Sequence, residues 1–370
     1  MSRVKFGDVV KDVKINIDRL NNPYEYYVAG DHMDSEDLTI HRKGCFTTDD
    51  VGPAFIRVFK PGQILYGSRR TYLKKIAVAD FEGVCANTTF VFETKDPHAF
   101  EQRLLPFIML SKDFTTWSIA KSKGSTNPYV LFSDLADFEF ELPPLEEQKV
   151  LVDKLWAAYR LKEAYKKLLV ATDEMVKSQF IEMFGTVENN THNFPIMTIG
   201  EFANCFAGAT PSTSHPEYWE NGRIRWMSSG EVHKGHVEDT DFRITELGYK
   251  SASTRMVPIH SIVIAIAGQG KTRGTVAITE VDLCTNQSLC AIVPDERVNY
   301  LYLYHNLQGR YLELRGLSGD VNGRGGLNLK IIQKIPVILP PIEKQQQFAS
   351  IAANNFFPPF PKKPINQNLN

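Results

Sequence analysis

The feature that most constrains this chain is a seven-residue motif that occurs twice. Residues 142–148 read LPPLEEQ and residues 339–345 read LPPIEKQ, at an offset of 197 positions (339 − 142). Three shorter matches follow the same order at offsets of 193 to 200 positions: Phe6-Gly7-Asp8 with Ile199-Gly200-Glu201, Ile76-Ala77-Val78-Ala79 with Val276-Ala277-Ile278-Thr279, and Cys85-Ala86-Asn87 with Cys284-Thr285-Asn286. Loops that gain and lose residues account for the drift in offset. The sequence therefore predicts two related domains in tandem.

Composition limits the class of protein. At about 100–200 residues per domain, 370 residues suggest two or three domains. Hydrophobic residues make up 43% and charged residues 23%, which excludes wholesale disorder. No apolar run reaches the roughly 18 residues of a membrane span, and the N-terminus lacks a secretory signal. Five scattered cysteines without C-x-x-C spacing argue against disulfides and structural zinc, so we expect a cytoplasmic protein without cofactor.

Between the two copies lie 40 residues, 145–184, without Gly or Pro. Apolar residues recur there at steps of three or four, which predicts an amphipathic helix with a coiled-coil-like seam. The seam residues expected to pair with another helix are Leu151, Leu155, Leu161, Tyr165, Leu168 and Met175. At about 1.5 Å per residue the helix would be roughly 60 Å long. A helix packed on its own domain is the alternative, but the length and position favour a spacer.

Each repeat contains short apolar strands separated by turns, for example residues 63–66, 88–92 and 260–267. Helical patterns follow near residues 106–110 and 300–304. This combination predicts an α+β fold with two tandem mixed domains and a long helix between them. We expect the domains at residues 1–144 and 190–341, the spacer helix at 145–185, and a second helix with a tail at 342–370.

Three motifs suggest catalytic or metal chemistry, but each is incomplete. Residues 268–272 (GQGKT) resemble the end of a P-loop, yet Ala265 replaces the first glycine and a strand pattern follows, which favours a glycine-rich hairpin. Residues 127–129 (NPY) lack one proline of the amino-methyltransferase tetrapeptide and predict a turn. His233 and His236 lack the spacing and partners of a metal site. We therefore predict neither a catalytic residue nor a metal ligand.

Basic residues are concentrated in glycine-containing segments of both repeats. Residues 57–75 contain six Lys or Arg and no Asp or Glu, although the whole chain has a net charge of −1. Such segments suit phosphate contacts combined with base-edge reading, and a solvated surface is the alternative. The candidate DNA-contacting residues are Arg57, Tyr66, Arg69, Arg70, Tyr72, Lys74, Lys121 and Lys123 in the first repeat, and Arg223, Arg225, Lys271, Arg273 and Arg324 in the second.

Together these features resemble the specificity subunit of type I restriction–modification systems, which has two tandem target-recognition domains, each followed by a long helix. The resemblance rests on both heptapeptides, on the helix after the first, and on residues 123–135. It extends over nearly all of residues 1–350.

The resemblance implies a non-catalytic protein that binds double-stranded DNA. Each domain would read one half of a split target, and the helix would set the distance between the halves. Modification subunits would supply the methyltransferase chemistry, and a restriction subunit would supply ATP-driven translocation and cleavage. The incomplete cofactor and nucleotide motifs agree with this division of labour.

The sequence departs from the family's pattern at its end, where a second long helix is expected. Residues 345–353 begin a helix, but the prolines in residues 356–361 (FFPPFP) stop it. Residues 362–370 are polar, which predicts disorder. We therefore expect a truncated second helix, and we expect the central helix to associate with a second copy or with modification subunits.

Two other classes of function are consistent with the sequence. One is a stand-alone enzyme that acts on nucleic acid through an unrecognised site, and the other is a coiled-coil scaffold that binds only proteins. Salt-dependent DNA binding without turnover would distinguish a DNA reader from both.

Overall fold

The computed structural model describes residues 2–18, 21–268, 272–317 and 326–355. The chain divides into two compact units, residues 1–165 and 166–370. The division falls inside one long helix, so each unit contains part of that helix.

The first unit combines short strands with short helices. Its strands are β1 (Ser2–Lys5), β2 (Val10–Asp12), β3 (Tyr26–Val28), β4 (Gly44–Cys45), β5 (Phe55–Phe59), β6 (Ile64–Gly67), β7 (Ile76–Val78), β8 (Gly83–Ala86), β9 (Thr89–Thr94) and β10 (Glu139–Leu142). Its helices are α1 (Phe6–Val9), α2 (Leu105–Leu110), α3 (Lys112–Ala120), α4 (Phe132–Ala136) and the first part of α5 (Leu145–Phe184).

Two four-stranded sheets form the body of this unit, in the orders β2-β9-β6-β7 and β4-β3-β8-β5, while β1 pairs with β10. The first sheet is antiparallel throughout, whereas β3 and β8 run parallel in the second. Phe6, Tyr66, Phe92 and Phe114 are fully buried together between the first sheet and the helices. Aromatic and β-branched residues suit these short strands because they pack well on a pleated surface.

The second unit has the same kind of elements. Its strands are β11 (Ile196–Thr198), β12 (Ala203–Ala207), β13 (Ile224–Met227), β14 (His236–Val237), β15 (Phe242–Ile244), β16 (Ile262–Ala265), β17 (Val276–Thr279), β18 (Cys284–Thr285), β19 (Leu289–Pro294) and β20 (Pro336–Ile338). Its helices are the rest of α5, α6 (Ile199–Phe202), α7 (Glu246–Ser251), α8 (Tyr300–Gly309), α9 (Tyr311–Gly316), α10 (Leu329–Gln333) and α11 (Ile342–Asn355).

The strand pairing of the second unit repeats that of the first. Its larger sheet has the order β12-β19-β16-β17-β14, in which the first four strands correspond to β2-β9-β6-β7. Its second sheet pairs β13 with β18 in parallel, as β3 pairs with β8, and β11 pairs with β20 as β1 pairs with β10. The tandem repeat predicted from short sequence matches is thus a repeat of topology.

The matched glycines lie where backbones approach closely. A Cβ on Gly7 would lie 2.5 Å from the Cβ of Ala136, and one on Gly200 would lie 3.1 Å from the Cβ of Gln333. Both glycines therefore permit the first short helix of each unit to pack against the helix that precedes its last strand. Cys85, which belongs to another of the matched segments, is fully buried in the first unit.

Helix α5 covers Leu145–Phe184, the 40 residues predicted. Gly185 follows it with φ +72°, and its N–H donates to the carbonyl of Ile181 at 2.8 Å, which is the expected C-terminal glycine cap. Val152 and Tyr159 are buried in the core of the first unit. The part of α5 in the second unit contributes Val176, Phe180 and Phe184 to that unit's core. The helix therefore also packs on the domains, as the alternative interpretation held.

The predicted α+β fold is confirmed. The residues predicted to stop the second helix, 356–361, lie outside the described part of the chain, and α11 is described to Asn355. The proposed domain boundaries stay a prediction. No helix among the described residues combines the length and hydropathy needed to cross a membrane.

Candidate nucleic-acid interface

The loop between β6 and β7 has an unusual backbone. Arg70 and Lys74 have φ values of 50° and 47°, on either side of a 3-10 turn at Thr71–Leu73. This left-handed conformation costs about 1 kcal/mol or more for a residue with a Cβ, and such residues concentrate at functional sites. The turn leaves Tyr72 52% exposed.

A second loop, residues 121–131, closes on itself beside the first. The backbone N–H groups of Lys123 and Tyr129 each donate to the other residue's carbonyl, at 2.8 and 2.9 Å. Gly124, with φ +88°, supplies the sharp turn that this closure needs. The NPY tripeptide lies in this closed loop, as predicted for a turn.

Hydrogen bonds join the two loops. Arg70 N–H donates to the carbonyl of Pro128 at 2.6 Å, and Val130 N–H donates to that of Ser68 at 3.0 Å. The joined loops, residues 69–73 and 121–129, are called the first basic surface below. It brings together five of the predicted residues: Arg69, Arg70, Tyr72, Lys121 and Lys123.

The charges on this surface differ in how they are compensated. Arg69 and Arg70 are exposed and form no ion pair with any residue that the structure describes. Lys121 Nζ lies 4.8 Å from the centre of the Trp117 ring in a cation–π contact, and its charge also helps to lower the pKa of Asp134. Lys123 lies 2.9 Å from Asp134, and its hydrogen bond lowers the pKa of that carboxyl. The two arginines are therefore the best placed cations for a phosphate.

Two predicted residues of the first unit are structural, which corrects the prediction. Arg57 donates to Asp12 Oδ1 at 2.9 Å and to the Thr89 carbonyl at 3.0 Å, and its side chain is only 11% exposed. Burial raises the pKa of the Asp12 carboxyl, and the Arg57 charge opposes that shift. Tyr66 is 2% exposed, and burial raises its pKa to about 12. Neither side chain reaches a surface that DNA could contact.

Lys74 has an intermediate position. Its ammonium group pairs with Glu36, and this hydrogen bond lowers the pKa of the Glu36 carboxyl. To bind a DNA phosphate, Lys74 would have to give up its ion pair with Glu36.

In the second unit a backbone hydrogen bond joins the two equivalent loops at the corresponding position. Leu327 N–H donates to the Ile266 carbonyl at 3.0 Å, which corresponds to the bond between Val130 and Ser68. Two predicted residues of these loops, Lys271 and Arg324, lie outside the described residues.

The other predicted residues of the second unit differ among themselves. Arg273 is 5% exposed, so it is a buried residue and not a DNA contact, contrary to the prediction. Arg225 donates to Asp239 at 2.9 Å, and Arg243 pairs with the same carboxylate. Arg223 is exposed.

One residue of the first basic surface was missed. Tyr129 is 39% exposed and hydrogen-bonded at the neck of the closed loop. An aromatic residue directly after Asn-Pro was the available signal, because turns place such side chains at the surface.

The structure describes the incomplete motifs to different extents. Residues 269–271 of the GQGKT segment lie outside the described part of the chain, and the strands on either side of it, β16 and β17, pair antiparallel. His233 Nε2 lies 3.2 Å from Thr272 Oγ1, whereas His236 Nδ1 lies 2.7 Å from Glu280 Oε1. Within the described residues, neither histidine belongs to a group of three potential metal ligands.

The predicted seam of α5 divides into two classes. Leu155 is half-buried against the core of the first unit, so it is the seam residue least able to meet another helix. The exposed seam residues are Leu151, Leu161, Tyr165, Leu168 and Met175, between 37% and 58% exposed. Leu169 and Val170, which are off the seam, are exposed to a similar extent at 56% and 58%.

Comparison with known proteins identifies related sequences. A family model described as the type I restriction modification DNA specificity domain matches residues 19–169 and 192–354. The specificity subunit of the type I restriction enzyme EcoR124I/EcoR124II of Escherichia coli is 28% identical over 157 residues, 42% of this chain and 39% of that protein. The MjaIX specificity subunit of Methanocaldococcus jannaschii is 30% identical over 161 residues, 42% of this chain and 35% of that protein. Each alignment thus spans well under half of the relative's length.

A solved structure shares the fold. The S subunit of a type I restriction-modification system from M. genitalium matches with a TM-score of 0.59 and 15% identity, over 96% of this chain and 89% of that one. The match therefore includes both units and the helix between them.

Proposed function

The chain belongs to the family of type I restriction modification DNA specificity domains, and on that basis we propose that it reads a bipartite DNA target. Each unit reads one half of the target. The observation that carries this proposal is the first basic surface, where Arg69, Arg70 and Tyr72 are exposed next to a closed, glycine-containing loop. Guanidinium groups suit both phosphates and the edge of guanine.

The same proposal makes the chain a non-catalytic subunit. Modification subunits carry the methyltransferase activity, and a restriction subunit carries the ATP-dependent translocase and nuclease. The two curated relatives are named specificity subunits of type I restriction enzymes, which supports this assignment. Its place of action is the cytoplasm, where the five cysteines, all without disulfides, stay reduced.

We also propose that α5 contributes an interaction surface. Leu161, Tyr165 and Leu168 are exposed on one stripe, and each gains roughly 1.5–3 kcal/mol when fully buried. The partner is the same helix of a second copy, in antiparallel orientation, or the modification subunits.

The decisive experiment measures duplex DNA binding by the purified chain and by its complex with co-purified subunits, over a series of salt concentrations. We expect binding whose logarithm falls linearly with the logarithm of salt concentration, without DNA cleavage, methylation or ATP hydrolysis by the chain alone. Turnover by the purified chain would indicate a stand-alone enzyme. Absence of DNA binding, both alone and in the complex, would indicate a protein scaffold.

A further inference from the structure

Three side chains that commonly bind metals meet in the first unit, and none of them belongs to the first basic surface. Ligand atoms of Asp37, His41 and Glu163 all lie within 4.8 Å of one another. This is the one group of its kind among the residues that the structure describes. From this arrangement we propose that these residues bind a divalent transition-metal ion such as Zn²⁺.

Burial and two hydrogen bonds fix the position of the Asp37 carboxylate. It is 6% exposed, and its Oδ1 accepts hydrogen bonds from the Tyr159 hydroxyl at 2.6 Å and from the Thr39 N–H at 3.0 Å. Its other oxygen, Oδ2, lies 3.2 Å from Nε2 of His41. One carboxylate oxygen therefore positions the group, while the other is directed toward the imidazole.

Glu163 completes the group from helix α5. It follows Tyr159 by four residues, so both side chains lie on the same face of the helix. Tyr159 is fixed because its hydroxyl also accepts the Leu38 N–H at 2.8 Å. The same packing that seats Tyr159 on the first unit therefore brings the Glu163 carboxylate to Asp37 and His41.

The donor set and its charge favour a divalent ion of intermediate softness. Two carboxylates and one imidazole are ligands that zinc accepts, at about 2.0–2.2 Å for each bond. Two ligands of one tetrahedral ion at these bond lengths lie about 3.3–3.6 Å apart, so a pair of ligand atoms near the 4.8 Å limit must approach by about 1.2–1.5 Å. An imidazole ligand favours zinc over calcium or magnesium. His41 is exposed, so water has access to the remaining coordination positions.

Such an ion would cross-link α5 to the loop at residues 37–41, because it would bind both His41 and Glu163, which are 122 positions apart in the sequence. Since an ion that binds only the folded unit stabilises it by mass action, metal binding would make the first unit more stable. This inference does not depend on the proposed function, because it concerns the attachment of the helix and not DNA.

The test is isothermal titration of the chelator-treated full-length chain with zinc chloride, with calcium chloride in a parallel titration. We expect one zinc ion per chain and a rise in the thermal midpoint of the first unit. His41→Gln and Glu163→Gln should each weaken zinc binding at least tenfold. His98→Gln, which removes an exposed imidazole elsewhere in the same unit, should leave it unchanged.

X-ray absorption of the zinc-loaded chain distinguishes this site from the cysteines. Nitrogen and oxygen neighbours alone, at about 2.0–2.2 Å, are expected, whereas sulfur at about 2.3 Å would place the ion on cysteine and overturn the proposal. Absence of stoichiometric zinc binding would also overturn it, as would unchanged affinity in both the His41 and the Glu163 variants. Glu163 projects from a helix, so its amide variant provides a second test if His41→Gln perturbs the loop.

Discussion

Gln148 and Gln345 make equivalent sets of three hydrogen bonds in the two units. Both side chains are fully buried, and both come from the last position of the repeated heptapeptide. In the first unit the partners are the Glu101 N–H at 2.8 Å and the carbonyls of Ala99 at 2.9 Å and Pro143 at 2.7 Å. In the second they are the Asn299 N–H at 2.9 Å and the carbonyls of Arg297 at 3.0 Å and Pro340 at 2.8 Å. In each unit the glutamine thus attaches the start of its own helix, α5 or α11, to the residues that lead into another helix, which is the 3-10 helix Gln102–Leu104 in the first unit and α8 in the second.

Replacing either glutamine should destabilise its own unit. Gln148→Ala leaves one buried N–H and two carbonyls without their partner, and each such group costs about 1–3 kcal/mol. We expect a loss of about 3 kcal/mol in the free energy of unfolding of the first unit, measured by urea denaturation. Hydrogen exchange at the Glu101 amide should accelerate. The neighbouring Glu147→Ala, at an exposed position, is the control, and an equal effect from it would contradict this role for the amide.

Truncation of two tyrosines near β6 should affect different properties of the protein, namely stability for Tyr66 and DNA binding for Tyr72. Tyr66→Ala removes a buried ring that packs 6.1 Å from Phe92, so we expect a loss of about 4 kcal/mol in stability. Tyr72→Ala removes an exposed ring and should leave stability unchanged, while weakening DNA binding by about 1 kcal/mol if its hydroxyl makes one hydrogen bond. Thermal denaturation and fluorescence anisotropy with labelled duplex separate these effects.

Arg69→Ala with Arg70→Ala should weaken recognition of one half-site by the assembled complex. A lost phosphate contact reduces the slope of log affinity against log salt by about 0.9. A lost base contact instead relaxes specificity at one position by about 1–3 kcal/mol. The control is Lys60→Ala, an exposed lysine of the same basic run at the other end of β6. Unchanged binding by the double variant would mean that the arginines are only solvated.

The exposed stripe of α5 should govern self-association. We expect the purified chain to form a dimer by light scattering, and Leu161→Glu with Leu168→Glu to convert it to a monomer, because charge cannot be buried in an apolar seam. Leu155 is unsuitable for this test, since it also packs on the first unit. A soluble monomer without partners, unaffected by the double variant, would contradict the pairing.

The second unit should lose stability in mild acid through His305. Burial, with a smaller effect of the nearby His236, lowers the pKa of His305 to about 4. An unfolded histidine has a pKa of about 6.5, so the unfolded chain binds the proton more readily. The contribution is fully present above pH 6.5 and is lost as the pH falls toward 4. His305→Leu should reduce the stability difference between pH 7.5 and 5.0 by about 2 kcal/mol in urea denaturation, whereas His98→Leu should not.

The architecture could be predicted because its signals are local or repeated. The 40-residue interval without Gly or Pro predicts α5, and the matched Gly7 and Gly200 mark tight packing contacts, where a Cβ would lie 2.5 and 3.1 Å from a neighbouring Cβ. Such features depend on backbone constraints, which a sequence expresses directly.

The site was only partly predictable because charge does not reveal burial. Arg57 belongs to the same basic run as Arg69, yet its guanidinium neutralises Asp12 inside the unit. Period-two alternation would have placed Tyr66 on the face of Ile64, which is buried as well. The Asp37–His41–Glu163 group was not predicted, since its members are brought together only when α5 packs on the first unit.

Helix α5 also has a consequence for inheritance. From residue 164 to residue 175 every side chain except Thr172 is exposed, so this interval contributes little to either core. A recombination crossover within it would join the first unit of one chain to the second unit of another and leave both cores intact. Chimeras made at this interval should therefore fold, and the first unit of one chain should be compatible with the second unit of another.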